Sequence, residues 1–284
     1  MRSLTALVLL LHLAAFGQLP QKGLLWRAAS PDGVERGFVF GTVHSQDARA
    51  YAHVPQALAA MARAEAVFGE LDIRAARADS ARLVASMMLP PGKSLRDYYS
   101  PRAYTRLQKA LKEEFGPLTL FVGKLKPFYL MAILSQEGMR KDSAETLDVY
   151  LLERAASMGK RTGGVETMAE QMAAVDAVPL QEQADLLLEA VKRSHHQTEM
   201  DRMMDDYVRQ DLLALQRMLA DGPATSAFDH AMVRDRNRVM VQRMDSLMGL
   251  APSFFAVGAA HLPGEDGVLR LLAERGYVLS PVFE

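Results

Sequence analysis

The chain has 284 residues, enough to bury a sizeable core, and its 49% hydrophobic and 24% charged content is an ordinary globular balance. Its 33 basic and 34 acidic residues leave a formal charge of −1, so no chain-wide field recruits nucleic acid or anionic lipid, and a partner must be recognised at a local site. Cysteine is absent, which excludes disulfides, thiolate ligands, a cysteine nucleophile and a lipid anchor on cysteine; any metal site must use His and carboxylates.

Arg2 precedes an apolar run from Leu4 to Leu13, followed by Ala14-Ala15-Phe16-Gly17 and then Gln18. That is the pattern of a secretory signal, and the run is shorter than the ~20 residues of a spanning helix. Residues 1–17 are therefore expected to be a signal peptide. Residues 18–284 are expected to form one exported domain, periplasmic or secreted, with no transmembrane segment in the mature chain.

Two strand-like runs come next, Leu24 to Ala28 and Gly37 to Val43, joined by the turn Ser30-Pro31-Asp32-Gly33. A helix starting near Pro55 leads to a third strand, Ala66 to Ile73. The chain then reads as mostly helical to about Lys160, punctuated at Pro90-Pro91-Gly92, Ser100-Pro101, Gly116-Pro117 and Asp142-Ser143. A strand from Thr162 to Glu166 precedes helices from Met168 to Leu219, which are broken near Pro179 and closed by Asp221-Gly222-Pro223. A long helix from Phe228 to Met248, a strand from Ser253 to Gly258, a helix from Gly264 to Arg275 and a strand from Tyr277 to Val282 complete the chain. Most of the 17 Met residues fall at helical spacing and read as core. Strands at both ends with helices between them predict an α/β fold, with α+β as the alternative: one domain with a central mixed sheet and large helical insertions.

Two segments stand out. Gly41-Thr42-Val43-His44 comes directly after the apolar Phe38-Val39-Phe40, and Gly258-Ala259-Ala260-His261 directly after Phe254-Phe255-Ala256-Val257. Ligands of open α/β sheets bind where strands end, so two histidines in the same strand-exit context can face one crevice; they can equally hydrogen-bond loop carbonyls and fix the two exits. Glycine before each permits a sharp turn or a close approach. Glu70 and Asp72 end the third strand, on one face if the alternation continues. Glu166 ends the fourth; next to it Thr167 and Glu170 fit a capping box, which leaves Glu166 as the site candidate. Glu265 and Asp266 read as helix-start acids after Pro263, and His195-His196 with Glu199 as a solvated face. On the Phe228 to Met248 helix, Arg236 and Asn237 fall inside the apolar arc of Val233, Met240, Met244, Leu247 and Met248. A guanidinium there needs a carboxylate, and Glu70 or Glu166 is predicted to supply it. No G-x-S-x-G, phosphate-binding loop or H-E-x-x-H motif is present.

Together these segments resemble the TraB/GumN family, which includes the Tiki proteases. The resemblance runs through Gly41 to His44, Glu70-Leu71-Asp72, Leu147-Asp148-Val149-Tyr150-Leu151 with Gly159-Lys160, Val165 to Gln171, Arg236-Asn237 and Val257 to Gly267. It implies a sheet-based fold with a paired Gly-x-x-His site and, for the Tiki branch, metal-dependent peptidase activity on the amino end of a secreted substrate. By position, His44 and His261 look like the paired histidines, Glu70 like the site acid, and Arg236-Asn237 like the polar pair completing it.

The reading is a metal-dependent hydrolase, most simply a peptidase acting on a peptide or protein substrate. His44, His261 and Glu70 would hold a divalent ion of manganese, cobalt or zinc, with Glu166, Arg236 and Asn237 in the catalytic surround. The alternative is an exported protein that sequesters a peptide, haem or another small ligand in the same cleft without turnover. Neither reading involves nucleic acid.

Overall fold

The computed structural model describes residues 22–73, 75, 80–137, 139–192, 196–220 and 226–283. The expected signal peptide, the Asp221-Gly222-Pro223 turn, His195 and the side chain of His196 lie outside the described residues. Six strands form one mixed sheet: β1 (Leu25–Ala29), β2 (Glu35–Thr42), β3 (Ala66–Leu71), β4 (Arg161–Glu166), β5 (Ser253–Gly258) and β6 (Val278–Pro281). Their spatial order is β4-β3-β5-β2-β1-β6. β1 is antiparallel to both of its neighbours, whereas β4, β3, β5 and β2 are mutually parallel. The exits of these four strands therefore lie along one side of the sheet, the side that carries ligands in open α/β folds.

The sequence dictates this arrangement through burial. Strands covered on both faces read as continuous apolar runs rather than alternating ones, and β5 and the second half of β2 are buried almost residue by residue. Phe68 stacks on Phe255 with ring centroids 5.7 Å apart, and Phe40 meets Phe254 at 6.3 Å, so aromatic side chains weld the central strands. Helix α1 (Val54–Arg63) links β2 to β3 across β5; it starts with a proline in its first turn and buries Val54, Ala57, Ala60 and Met61 along one stripe.

The segment between β3 and β4 holds α2 (Ser80–Met87), α3 (Pro101–Phe115), α4 (Pro127–Glu137) and α5 (Leu147–Ser157). Most of this insertion has its own core around Leu95, Leu107, Leu111 and Leu130, joined by Leu187. α5 returns to the sheet, burying Leu147, Leu151, Leu152 and Ala155. Between β4 and β5 come α6 (Met168–Ala177), α7 (Leu180–Lys192), α8 (His196–Val208), α9 (Leu212–Ala220) and α10 (Asp235–Met248); α11 (Val268–Glu274) leads to β6.

Two local expectations are corrected and one is refined. The helix read from Phe228 to Met248 is helical without a break from Ser226, but it contains a π turn at His230–Arg234 before α10. Such π turns widen a helix by one residue and re-aim the side chains beyond them. The helix expected from Gly264 begins at Val268, because residues 259–261 form a 3₁₀ turn and Gly264 has a φ of 93°, which stops helical propagation. β3 ends at Leu71, so the strand alternation does not extend to Asp72, which turns away and accepts the Ala75 amide at 3.2 Å.

Candidate functional site

At the β2 exit, Leu147 donates its backbone N–H to the Ser45 carbonyl at 3.2 Å. That bond ties the first turn of α5 to the loop after β2 and brings Asp148 beside His44. Both carboxylate oxygens lie against His44 Nδ1, at 2.9 and 3.0 Å. The bond to Asp148 stabilises the imidazolium and raises the His44 pKa above its usual value; partial burial opposes this, and the charges of Asp148 and Glu70 add to it. His44 remains half exposed, with 55% of its side chain open.

The second histidine is buried. Asn237 Nδ2 donates to the carbonyls of Asp266 (2.7 Å) and His261 (3.4 Å), which fixes the orientation of the amide. Its Oδ1 is then the atom 2.6 Å from His261 Nδ1, so Nδ1 carries the proton and Nε2 keeps its lone pair. Burial lowers the His261 pKa, and Arg236 acts in the same direction against Glu70 and Glu166. The ring is therefore neutral near pH 7, with its basic nitrogen 3.8 Å from Glu70 Oε1.

The glycines serve close approach here. A Cβ on Gly41 would sit 2.8 Å from the Leu262 side chain and 3.1 Å from the Ala259 backbone, so the loop that carries His261 lies directly on β2. A Cβ on Gly258 would crowd Glu70 Oε1 at 3.1 Å, and the Gly258 N–H donates to that same oxygen at 2.8 Å.

Arg236 joins two carboxylates. Its Nη2 donates to Glu70 Oε2 at 2.6 Å and to Glu166 Oε2 at 2.7 Å, while Nε reaches Glu166 Oε1 at 3.0 Å. The Gln171 amide donates to both acids, at 3.2 Å to Glu70 and 3.1 Å to Glu166. Burial raises the Glu70 pKa, but the charge of His261 where its ring is protonated, together with Arg236 and the Gly258 N–H, outweighs it and holds the carboxyl below its ordinary value. Glu166 is 4% exposed, and its oxygens are engaged by Arg236 and Gln171. The partner predicted for Arg236 is thus present twice over.

In the parallel register Thr42 lies opposite Gly258. His44 and His261 therefore leave neighbouring strands two and three residues further on, and the charge of Glu70 is felt at both rings. Glu70, Glu166 and Arg236 form one hydrogen-bonded network, His261 held by Asn237 lies 3.8 Å from its Glu70, and His44 makes its own pair with Asp148. The sequence pattern gives no role to Asp148 or Gln171. Asp148 looks like an ordinary acid in a helix first turn and Gln171 like a helix-surface amide, and only long-range pairing reveals them. Asp72 instead lines a cleft of about 430 Å³ with Ile73, Leu152 and Glu153. Glu170 closes the capping box with Thr167 and binds Arg243, and Asp266 is held by Arg234 and Arg238, so both have structural duties.

Among the described residues, no group of three or more His, Asp or Glu side chains is placed to hold a metal ion. His261 Nε2 and Glu70 Oε1 do fit as two donors. Ligands at roughly 2.0–2.2 Å from one ion lie at most about 4.4 Å apart, and this pair is within that span. With Glu70 and Glu166 anionic against Arg236, the network has a net negative charge, which suits a cation. The third ligand proposed for the site, His44, has its described hydrogen bonds with Asp148.

Several curated proteins are similar over most of the chain. Metalloprotease TIKI2 of Danio rerio is 22% identical over 92% of this chain and 61% of its own length. Metalloprotease TIKI1 of Danio rerio is 23% identical over 84% of this chain and 60% of its own, and Metalloprotease TIKI1 of Homo sapiens 24% identical over 84% and 58%. The chain thus spans about three fifths of the length of these relatives. No solved structure matches significantly. The model of the TraB/PrgY/gumN family matches residues 24–281, from the strand pair at the start of the sheet to its last strand and across every candidate site residue, and the chain belongs to that family.

Proposed function

We propose that this chain is a metal-dependent hydrolase of peptide bonds, with His44, His261 and Glu70 as ligands of a divalent ion. The observation that carries the reading is the pairing of His261 Nε2 with Glu70 Oε1, 3.8 Å apart at the exits of adjacent parallel strands. The metalloprotease names of the relatives support the same reaction class. A zinc, manganese or cobalt ion would supply Lewis acidity and lower the pKa of water.

The chain's own residues prepare that chemistry. Asn237 holds His261 as the Nδ1–H tautomer, and Asp148 engages His44 through Nδ1, so both rings offer Nε2. Arg236 and the Gly258 N–H keep Glu70 ionised and fixed in place. Glu166, whose oxygens are already bonded, anchors Arg236 and through it Glu70. The pattern of residues 1–17 supports export, so the substrates would be peptides or proteins outside the cytoplasm.

The test is cleavage of a peptide library by the purified protein, treated with chelator and then resupplied with manganese, cobalt or zinc. Cleavage that disappears with chelator and returns with metal is expected. Stoichiometric capture of peptide without cleavage, or a Soret band on haem titration, would replace the hydrolase with a sequestering protein.

A further inference from the structure

At the far end of α3 the chain makes a turn that buries little of its apolar content. Gly116-Pro117-Leu118 forms a 3₁₀ turn and Thr119–Val122 one helical turn, with Leu118 64%, Leu120 86% and Phe121 53% exposed. This turn is built, not frayed. Val122 and Leu125 are buried in the core of the insertion, Thr119 Oγ1 donates to the Gly116 carbonyl at 2.6 Å, and Gly123 N–H donates to the Thr119 carbonyl at 3.0 Å. An ordered turn thus presents two leucines and a phenylalanine to the outside, and a contiguous exposed apolar patch of this kind marks a contact surface.

The stretch of sequence that holds it is basic. Residues 93–126 carry eight Lys and Arg against three Asp and Glu, a balance of +5 within a chain whose total is −1. Within this stretch Lys109 pairs with Glu113 at 3.8 Å, and Lys126 pairs with Asp176. Exposed Lys112, in the last turn of α3, and exposed Lys124 bracket the apolar residues. The near-neutral total hides this because the surplus of acid lies elsewhere in the chain.

We propose that this turn is an interfacial docking site for an anionic lipid bilayer: Leu118, Leu120 and Phe121 insert at the level of the headgroups, and the flanking Lys112 and Lys124 meet the lipid phosphates. Apolar insertion combined with basic flanks is the composition of peripheral membrane contacts. No described helix is long and apolar enough to cross a membrane, so the contact is with the surface. A second copy of the chain fits the patch less well. Three side chains offer on the order of 400 Å², about half of the ~800 Å² that each partner buries in a stable interface, and the basic rims of two copies would repel each other. The inference does not depend on the proposed hydrolase activity.

Phe121→Trp provides a local reporter, because the chain's single Trp, Trp26, is fully buried. With vesicles of phosphatidylcholine containing phosphatidylglycerol, the new emission should shift to the blue and be quenched by brominated lipid acyl chains. With pure phosphatidylcholine, or in high salt, the response should fall by about tenfold in apparent affinity or more. Lys112→Glu with Lys124→Glu should weaken it similarly, and Leu120→Asp should abolish it while thermal unfolding stays unchanged. The absence of any shift with anionic vesicles, an equal shift with zwitterionic ones, or a shift that grows with protein concentration in the absence of lipid would overturn the proposal.

Discussion

Arg236 is a cation held between two carboxylates, one of which, Glu166, is almost wholly buried. Removing one partner of a buried charge pair leaves the other uncompensated, at a cost of about 3–5 kcal/mol. Arg236→Met should lose that much in urea unfolding, and adding Glu166→Gln should recover a large part of it. A single substitution costing less than about 1 kcal/mol would show that the network carries no such strain. The two histidines should titrate on opposite sides of their usual value in the metal-free protein. His44, raised through its bond to Asp148, should show an NMR midpoint above 6.5, and Asp148→Asn should lower it; His261, lowered by burial, should stay neutral to a more acid pH. The two contributions to stability therefore have opposite signs: that of His44 is present below the unfolded pKa and fades as pH rises through the raised one. That of His261 is lost as pH falls below the unfolded value toward its lowered one. The candidate residues themselves are visible in the sequence, because each stands at a strand exit or inside an apolar arc. Asp148 and Gln171 are not, because their partners are 104 and 101 residues away in the chain.

The elements that aim these residues can be tested in the same way. The capping box at the start of α6 joins Thr167 to Glu170, and Arg243 holds Glu170 at 2.7 Å. Thr167→Ala should cost about 1 kcal/mol, measured by chemical denaturation. The bond to Arg243 lowers the Glu170 pKa to about 2, so its contribution is present above the ordinary carboxylate pKa and is lost as pH falls through the acid range toward 2. Gly41→Ala would drive a methyl group into Ala259 and Leu262 and displace the loop of His261. It should reduce catalytic rate far more than its effect on unfolding accounts for, and an unchanged rate would show that this loop position is not critical. The strands are legible because central strands of a parallel sheet must be apolar without interruption, as Phe254 to Val257 are. The π turn at His230–Arg234 is not, because its residues keep a helical pattern and the added residue is a backbone event. The end of β3 differs from the expected one by two residues for a related reason: Asp72 continues the alternation in sequence but leaves the strand in space.

On the scale of the whole molecule, the sheet sets the site on one side and two helical insertions each supply residues to it, one of them carrying its own core and an exposed apolar turn. The α/β class with a mixed sheet is readable from strands at both ends of the chain. The position of β5 between β3 and β2 is not, because nothing local marks which strands become neighbours. That placement sets the exit of β5 between those of β3 and β2 and brings His261 within 3.8 Å of Glu70. The leader pattern predicts a mature terminus at or near Gln18, which mass spectrometry of exported protein would reveal, whereas recovery of an intact Met1 from a membrane fraction would contradict export. The most direct test of the central claim is metal-restored peptide cleavage by the wild-type protein compared with His44→Ala and His261→Ala. Each substitution should abolish the metal-dependent cleavage with thermal unfolding nearly unchanged, and cleavage that survives both would contradict the account.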